Sequence, residues 1–236
     1  NMYFFNKNLI FLLFLFICEV TIANDIDNQI KNYILKNPEI IIESLKNYEK
    51  KKEDEKKVEN KNKIENLKLQ IFETNNKLYQ GNLSSEKVIV EFFDYNCSYC
   101  KRAHNDIKKL LDQNKNIKII YKNFPILSDN SVKLAKYALI LSEIDNEKFK
   151  KFHNWAIRFK GNIKDKDIDN FLKKENIIKS SIDKRLNDSN IQSKLEKDVQ
   201  LANSLNLRGT PAFIIGNEII FGYIDYDEMI SKINQQ

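Results

Sequence analysis

Two closely spaced cysteines that directly follow a strand-like segment constrain the fold of this chain more than any other feature. Residues Val88 to Phe93 are apolar and β-favouring except for one acid, Glu91, as in a buried strand. Cys97 and Cys100 follow, and their spacing places both sulfurs in one turn at the start of a helix, close enough to bridge. A helix N-terminus and this spacing lower a cysteine pKa from ~8.5 to ~3.5–7.5. We therefore predict thiol and disulfide chemistry, with Cys97 as nucleophile and Cys100 as resolving cysteine.

The cysteine spacing alone is ambiguous, because zinc sites and structural bridges use it too. Glu91 lies six residues before Cys97 in the apolar run, and a buried carboxylate is costly unless it is used. The alternative is a strand acid that reaches solvent at the sheet edge. Further along the chain, Thr210 precedes Pro211 where a second strand begins. Proline cannot donate a ladder hydrogen bond there, and only a bond to proline readily becomes cis.

Together these residues resemble the thioredoxin-fold family, specifically the periplasmic thiol:disulfide oxidoreductases of the DsbA/DsbC type, over roughly Val88 to Ile233. The resemblance implies an α/β thioredoxin fold with an inserted helical domain, in which Thr210 and cis-Pro211 lie beside Cys97. It also implies that Glu91 is the proton acceptor for Cys100. No metal and no cofactor are expected beyond the redox-active disulfide of the two cysteines.

Two positions bear on the direction of the exchange. Tyr99 and Thr210 are similar to the isomerase branch of the family, whereas Ser98 departs from both the isomerase and the oxidase patterns. The resemblance favours a disulfide isomerase or reductase, with a DsbA-type dithiol oxidase as the alternative. The expected partners are unfolded or misoxidised exported proteins and a membrane redox partner that resets the cysteines.

A helical segment, residues 24–65, is predicted before the catalytic part. Ile26, Ile30 and Ile34 recur at helical spacing, and Asn37-Pro38-Glu39 predicts the start of a second helix, which passes into a charged linker. The apolar part is too short to be stable alone. The segment resembles the oligomerisation region of ScsC-type disulfide isomerases, which implies a homo-oligomer. An ordinary helical hairpin with a solvated linker is the alternative.

Residues 1–23 have the pattern of a signal peptide. Lys7 supplies a positively charged start, and Leu9 to Ile17 form an apolar core that is too short to span a bilayer. Thr21-Ile22-Ala23 then provides a cleavage site of the small-residue type. We expect secretion to the periplasm with cleavage after Ala23, where one remaining cysteine pair meets substrates that carry disulfides. A lipoprotein anchored at Cys18 is the alternative, disfavoured by the bulky residue before it.

The catalytic domain is predicted to span residues 66–236. A helix from Cys97 to Asp112 and a strand from Ile117 to Asn123 follow the first strand, and a helix from Tyr226 to Ile233 closes the domain. Residues from about 128 to 205 lack strand signals and show helical periodicity, which predicts an inserted helical domain. The DsbA-like family carries its helical domain at this place in the chain.

Net charge and candidate metal ligands bear on two other functional classes, nucleic-acid binding and metal binding. The formal net charge is +6, but acids and bases are interspersed and no nucleic-acid motif is present, so no nucleic-acid partner is predicted. A copper-binding or copper-protective envelope protein, with Cu(I) on the two thiolates, is the alternative from another class. His104 and His153 are further candidate ligands, although we expect His104 to be partly exposed on its helix. A permanent structural bridge is a third possibility.

Several side chains near the cysteines are candidates for contact with substrate. Tyr95, Tyr99 and Phe93 are predicted to line a groove for unfolded polypeptide, although Phe93 fits a core position equally well. Lys101 and Arg102 could hold the thiolate by charge, with a solvated helix face as the alternative.

Overall fold

The computed structural model describes residues 26–235. The predicted signal segment, residues 1–23, and Cys18 within it lie outside the described residues. Residues 26–36 form helix α1. The other elements follow in the order α2 (Glu39–Phe72), β1 (Tyr79–Gly81), β2 (Val88–Phe93), α3 (Ser98–Gln113), β3 (Lys118–Asn123), α4 (Asp129–Ile144), α5 (Asn146–Arg158), α6 (Asp165–Lys174), α7 (Lys179–Asp183), α8 (Ser189–Ser204), β4 (Ala212–Ile215), β5 (Glu218–Phe221) and α9 (Tyr226–Ile233).

The chain divides into two compact units between Lys56 and Lys57. In the first unit, the Asn37 side-chain amide donates to the Tyr33 carbonyl at 2.8 Å and so satisfies an acceptor at the end of α1. Pro38 follows, where a missing N–H costs nothing because a helix is about to begin. Large apolar side chains of this unit are exposed: Ile26, Ile30, Tyr33, Leu35, Ile41, Ile42, Leu45 and Tyr48.

The predicted charged linker is helical and belongs to α2. Helix α2 continues to Phe72, so the predicted boundary between residues 65 and 66 falls inside it. The side chains of Glu59 and Lys63, four residues apart on the helix, form an ion pair at 2.5 Å. Because the Glu59 side chain is exposed, the pair contributes little to stability.

A five-stranded sheet in the order β1-β3-β2-β4-β5 organises the second unit. Strands β2 and β3 are parallel, and the other neighbours are antiparallel. Every residue of the central strand β2 is buried, including Glu91, as the apolar run predicts. Sequence analysis missed β1, whose three residues are too few to show a period.

Helices cover both faces of this sheet, and the side chains of β2 alternate between two cores. Ile89 and Phe93 belong to the core that contains the buried side chains of α3, whereas Val90 and Phe92 belong to the other. The C-terminal part of α2 contributes to this second core through its buried side chains, Ile64 and Ile71. Because side chains alternate along a strand, Glu91 points to the same face as Ile89 and Phe93, the side of the cysteine helix.

Helices α4 to α8 lie between β3 and β4 in the chain and form the insertion. Helix α5 packs against both α4 and the cysteine helix α3. Apolar side chains at helical spacing in α4 and α5 are buried: Leu134, Ala138, Leu141, Phe149, Phe152 and Ile157. The insertion thus brings its own side chains, among them His153, to the cysteine helix.

Candidate active site

Cys97 occupies the N-cap of α3, and the helix proper begins one residue later. Its sulfur accepts a hydrogen bond from the Cys100 backbone N–H at 3.4 Å, and both cysteines are free thiols. The Cys97 backbone N–H donates to the Asp94 carbonyl at 3.1 Å, which closes the turn after β2. The sulfur therefore lies where the unpaired N–H groups of a helix favour negative charge.

The proline loop meets Cys97 because of strand register. Strands β2 and β4 pair Phe92 with Ala212, so the residues just before β4 lie at the end of β2 from which the cysteines follow. The Thr210-Pro211 peptide bond is cis, and the Cys97 sulfur lies 3.1 Å from the Thr210 carbonyl oxygen, to which it donates only when it is protonated. The structure thus brings together two segments that are far apart in the chain.

The pKa values of the two cysteine thiols are shifted in opposite directions. A hydrogen bond from the Cys100 side chain lowers the pKa of Cys97 to about 6, against partial burial, and further hydrogen bonds from the Thr210 side chain and from backbone N–H groups act in the same direction. Burial, together with the hydrogen bond to Cys97, raises the pKa of Cys100 far above its ordinary value. At neutral pH Cys97 is mostly thiolate, and Cys100 is a thiol that donates to it.

Glu91 lies on the central strand, between Tyr121 of β3 and Phe213 of β4, and is 2% exposed. The alternative of a solvated acid at the sheet edge is therefore wrong. Burial, followed by the negative charge of Cys97, raises the Glu91 pKa to about 8. Glu91 in turn contributes to the raised pKa of Cys100, so the carboxyl group and both sulfurs are electrostatically coupled.

The sequence analysis missed Asp94, which holds two loops together at the site. One carboxylate oxygen accepts from the Asn96 backbone N–H at 2.8 Å, and the other accepts from the Ile126 and Leu127 N–H groups, each at 3.0 Å. An aspartate two residues before an asparagine is a turn signal, and that signal could have identified the first contact. The contacts to Ile126 and Leu127 depend on the tertiary fold.

Behind the cysteines, His104, His153, Tyr95 and Tyr121 form a buried group that we call the histidine cluster. The Tyr95 hydroxyl lies 3.3 Å from His153 Nδ1, and the ring centroid of His153 lies 4.2 Å from that of Tyr121 and 5.5 Å from that of His104. Both ring nitrogens of His104, His153 Nε2 and the Tyr121 hydroxyl have no hydrogen-bond partner in the described structure. These unpaired polar atoms lie on the same side of the sheet as Glu91.

The expectation that His104 is partly exposed is wrong, since only 2% of the residue is exposed. A histidine four residues after a helical cysteine falls on the same helix face, and here that face packs against α5. Burial lowers the pKa of His104 to about 4 and that of His153 well below its usual value. Both imidazoles are therefore neutral at neutral pH.

The predicted substrate groove is only partly present. Tyr99 is 61% exposed beside the cysteines, but Phe93 and Tyr95 are buried in the core. The Lys101 ammonium donates to the Phe159 carbonyl at 2.8 Å, and the Arg102 guanidinium lies 4.2 Å from the centroid of the Tyr223 ring. Neither cation is among the groups that lower the Cys97 pKa.

The histidines do not complete a metal site with the cysteines. Across residues 26–235, no group of three or more His, Cys, Asp or Glu side chains is arranged to hold a metal ion. Over the same range, no helix combines the length and apolar character needed to cross a membrane. A metal at this site would have to be held by the two sulfurs alone.

Comparison with known proteins identifies the family. A model of the DSBA-like thioredoxin domain matches residues 88–234. The chain belongs to the DsbA-like thioredoxin family. The copper resistance protein ScsC N-terminal domain matches residues 24–55. The predicted α/β thioredoxin fold, with a helical insertion and a helical segment before it, is confirmed.

Solved structures agree with this assignment. The thiol-disulfide exchange protein alpha-DsbA2 from Wolbachia pipientis is 33% identical, with a TM-score of 0.71 over 76% of this chain and 97% of that protein. The catalytic domain of Proteus mirabilis ScsC is 26% identical, with a TM-score of 0.68 over 74% of this chain and 97% of that domain. The chain is thus a member of a thiol-disulfide exchange family.

Two curated relatives match more distantly. Disulfide bond formation protein D of Bacillus subtilis is 24% identical over 63% of this chain and 71% of its own length. The Na(+)/H(+) antiporter NhaA 1 of Salinispora arenicola is 21% identical over 65% of this chain, which spans only 24% of the antiporter. The match to this larger protein covers about a quarter of its length.

Proposed function

We propose that the chain is a secreted thiol:disulfide oxidoreductase that acts on protein disulfides, chiefly as an isomerase and reductase. The observation that carries this proposal is the unequal pair of sulfurs. Cys97 has a pKa of about 6 at a helix N-cap, and the Cys100 thiol donates to it from a buried position. Stepwise disulfide exchange requires a nucleophile that is ionised at neutral pH and a second thiol held in reserve.

The first step is attack by the Cys97 thiolate on one sulfur of a substrate disulfide. The substrate S–S bond breaks, the second sulfur leaves as a thiolate, and a mixed disulfide joins Cys97 to the substrate. The Cys100 side chain and backbone N–H groups stabilise the thiolate before attack. Tyr99, exposed beside the sulfur, provides an apolar surface for the substrate chain.

Resolution requires the Cys100 thiol to lose its proton. In the mixed disulfide Cys97 carries no charge, so one cause of the raised Glu91 pKa disappears, and the carboxyl group ionises more readily. Glu91 then takes the Cys100 proton. The new Cys100 thiolate attacks the Cys97 sulfur, releases the substrate thiolate and leaves the Cys97–Cys100 disulfide, so that the substrate gains two electrons.

In isomerisation, a thiolate of the substrate attacks the mixed disulfide instead and restores Cys97. This outcome needs the pair to be kept reduced, and we propose a membrane redox partner for that role. A dithiol oxidase runs the resolution step in reverse and passes the Cys97–Cys100 disulfide to reduced substrates. Exported proteins with unformed or wrong disulfides are the proposed substrates, and the periplasm is the proposed compartment.

The first unit supports the isomerase proposal, because it has the surface of a region that assembles. Ile30, Tyr33, Ile42 and Leu45 are each more than half exposed in the single chain. Apolar side chains clustered in this way on α1 and the first turns of α2 indicate a partner surface. We propose that the same segments of other copies of this chain cover these apolar side chains, so that several catalytic domains act on one substrate.

Refolding of ribonuclease separates the two directions. We expect the mature protein to reactivate scrambled ribonuclease faster than it oxidises the reduced form. The variant Ile34→Asp/Ile41→Asp should lose reactivation and keep thiol exchange, whereas Asn28→Asp/Asn47→Asp, which adds the same charge at exposed polar positions, should keep both. Faster oxidation than reactivation would establish the oxidase instead, and inactivity in both assays would reject the enzyme.

Copper binding is the second candidate, favoured by the copper resistance domain that matches residues 24–55. Those residues contain no Cys, His or Met, so the soft ligands would be Cys97 and Cys100. Titration of the reduced protein with Cu(I), alongside Cys97→Ser, tests this candidate. Tight stoichiometric binding that Cys97→Ser abolishes, without any exchange activity, would replace the oxidoreductase with a copper module.

A further inference from the structure

A polar pocket of about 640 Å³ lies directly beside the nucleophilic cysteine. The residues on both sides of Cys97, Asn96 and Ser98, line it, together with Lys101 and Asn105 from the next turns of α3. Arg158 at the end of α5 and Lys160 in the following loop complete its charged lining. We call it the cationic pocket.

The cationic pocket has three positive charges and no acid. None of its lining residues is Asp or Glu. Lysines nearby on the same helices are compensated, since Lys108 of α3 pairs with Asp112 at 2.9 Å and Lys151 of α5 with Glu175 at 2.7 Å. In contrast, none of the three pocket cations forms a salt bridge with a carboxylate in the part of the chain that the structure describes.

The fold fixes one of these cations, Lys101, at the pocket wall. The Lys101 ammonium donates to the Phe159 carbonyl, at the C-cap of α5, at 2.8 Å. This contact joins the cysteine helix to α5 and fixes one charge at the pocket wall. Arg158, the last residue of α5, acts on the buried ring of His104 and lowers its pKa, so its field extends towards the cysteine helix. A cleft lined by one sign of charge concentrates groups of the opposite sign.

We propose that the cationic pocket binds carboxylate side chains of the substrate polypeptide, so that disulfides flanked by Asp or Glu react preferentially with Cys97. This inference rests on the proposed exchange function and adds its substrate class. Because Asn96 and Ser98 line the pocket and flank Cys97 in the chain, the carboxylate belongs to a residue close to the reacting cysteine. Arginine and lysine donors, together with asparagine amides, match the acceptors of a carboxylate.

The test uses three peptide disulfides that differ only in the residues flanking the reacting cysteine, which are acidic, amide or basic. The reduced mature protein is mixed with each peptide, and the second-order rate of mixed-disulfide formation is measured at low and high salt. We expect the acidic peptide to react about tenfold faster than the amide peptide at low salt, and the advantage to shrink as salt is added.

The variant Lys101→Gln/Arg158→Gln/Lys160→Gln should lose the preference for the acidic peptide and keep the rate with the amide peptide. The control Lys173→Gln/Lys174→Gln/Lys197→Gln removes the same charge elsewhere on the insertion and should keep the preference. If both variants lose the preference for the acidic peptide equally, the preference comes from general attraction between the positively charged protein and the peptide, and the proposal is overturned. Thermal unfolding of both variants shows whether they are folded.

Two further outcomes are distinguishable. Equal rates with all three peptides would overturn the cationic pocket and leave the exchange function intact, whereas no reaction with any peptide would reject the exchange function itself. Oxidised glutathione and its carboxyl ester form a separate arm. If the variant changes only the ratio of their rates, the pocket takes small disulfides and not a polypeptide, which would also overturn the proposal.

Discussion

The two units of this chain leave opposite kinds of groups unsatisfied. The first unit exposes Ile30, Tyr33 and Leu45 to solvent, where apolar side chains gain nothing. The second unit buries His104 and the Tyr121 hydroxyl without hydrogen-bond partners, where polar groups are costly. We propose that a partner chain covers the exposed apolar surface of the first unit. Burial in the second unit raises the pKa of Glu91 to about 8 and lowers that of His104 to about 4, so both groups are mostly neutral at neutral pH.

The largest expected effect concerns the nucleophile. Cys97→Ser should lower the rate of disulfide exchange by about 10³-fold or more, because its oxygen is not ionised at neutral pH. Cys100→Ser should instead accumulate the mixed disulfide, which gel electrophoresis without reductant detects. Trapping of substrate by Cys97→Ser rather than by Cys100→Ser would reverse the assigned roles.

Glu91→Gln should slow the resolution step about 10²-fold, because the amide cannot take the Cys100 proton. The rate of mixed-disulfide formation should change far less, so stopped-flow measurement of the two phases separates the steps. Glu86→Gln, at an exposed position just before β2, is the control. If both Glu91→Gln phases match those of the native protein across pH, Glu91 is only a structural acid.

The molecular mass in solution tests whether the first unit assembles, and thermal unfolding shows whether the second unit is unaffected. Ile34→Asp/Ile41→Asp should lower the molecular mass measured by light scattering to that of one chain and leave the thermal unfolding of the catalytic domain unchanged. The reason is that these residues carry apolar surface of the first unit, outside the cores of the second. A native mass equal to one chain would contradict the proposed oligomer and favour the solvated helical hairpin.

The smallest expected effect is an acid sensitivity from the histidine cluster. The folded-state pKa of His104 is about 4, below its usual 6.5, so the unfolded chain binds more protons between these values. The contribution of His104 to stability is therefore complete above pH 6.5 and is lost as the pH decreases towards 4. His104→Leu should reduce this loss by ~1–3 kcal/mol in urea unfolding. If His104→Leu and the native protein lose the same stability between pH 6.5 and pH 4, His104 is not the source of the acid sensitivity.

The sequence predicted those parts of the site that depend on local order. Cys97 and Cys100 share a turn, and Glu91 lies in an apolar strand, so local order located all three, although the cysteine spacing alone left zinc and structural sites open. Pro211 was found because a proline at a strand start is a specific signal, and the register of β2 with β4 brought it to the sulfur.

Other parts of the site depend on packing between distant elements. His153 comes from the insertion, and no local pattern shows that its ring contacts His104. Tyr95 looked like a rim residue because aromatic side chains beside cysteines suggest a groove, but its ring packs inside the core. The cationic pocket joins α3 to the end of α5, and the sequence shows only scattered lysines there.

The most direct test of the central claim is a pH titration of the Cys97 thiolate in the reduced protein, followed by ultraviolet absorbance. We expect a single transition near pH 6 that is absent in Cys97→Ser and is followed by no second thiol transition at moderately alkaline pH. A midpoint at ~8.5, the value of an ordinary cysteine, would contradict it.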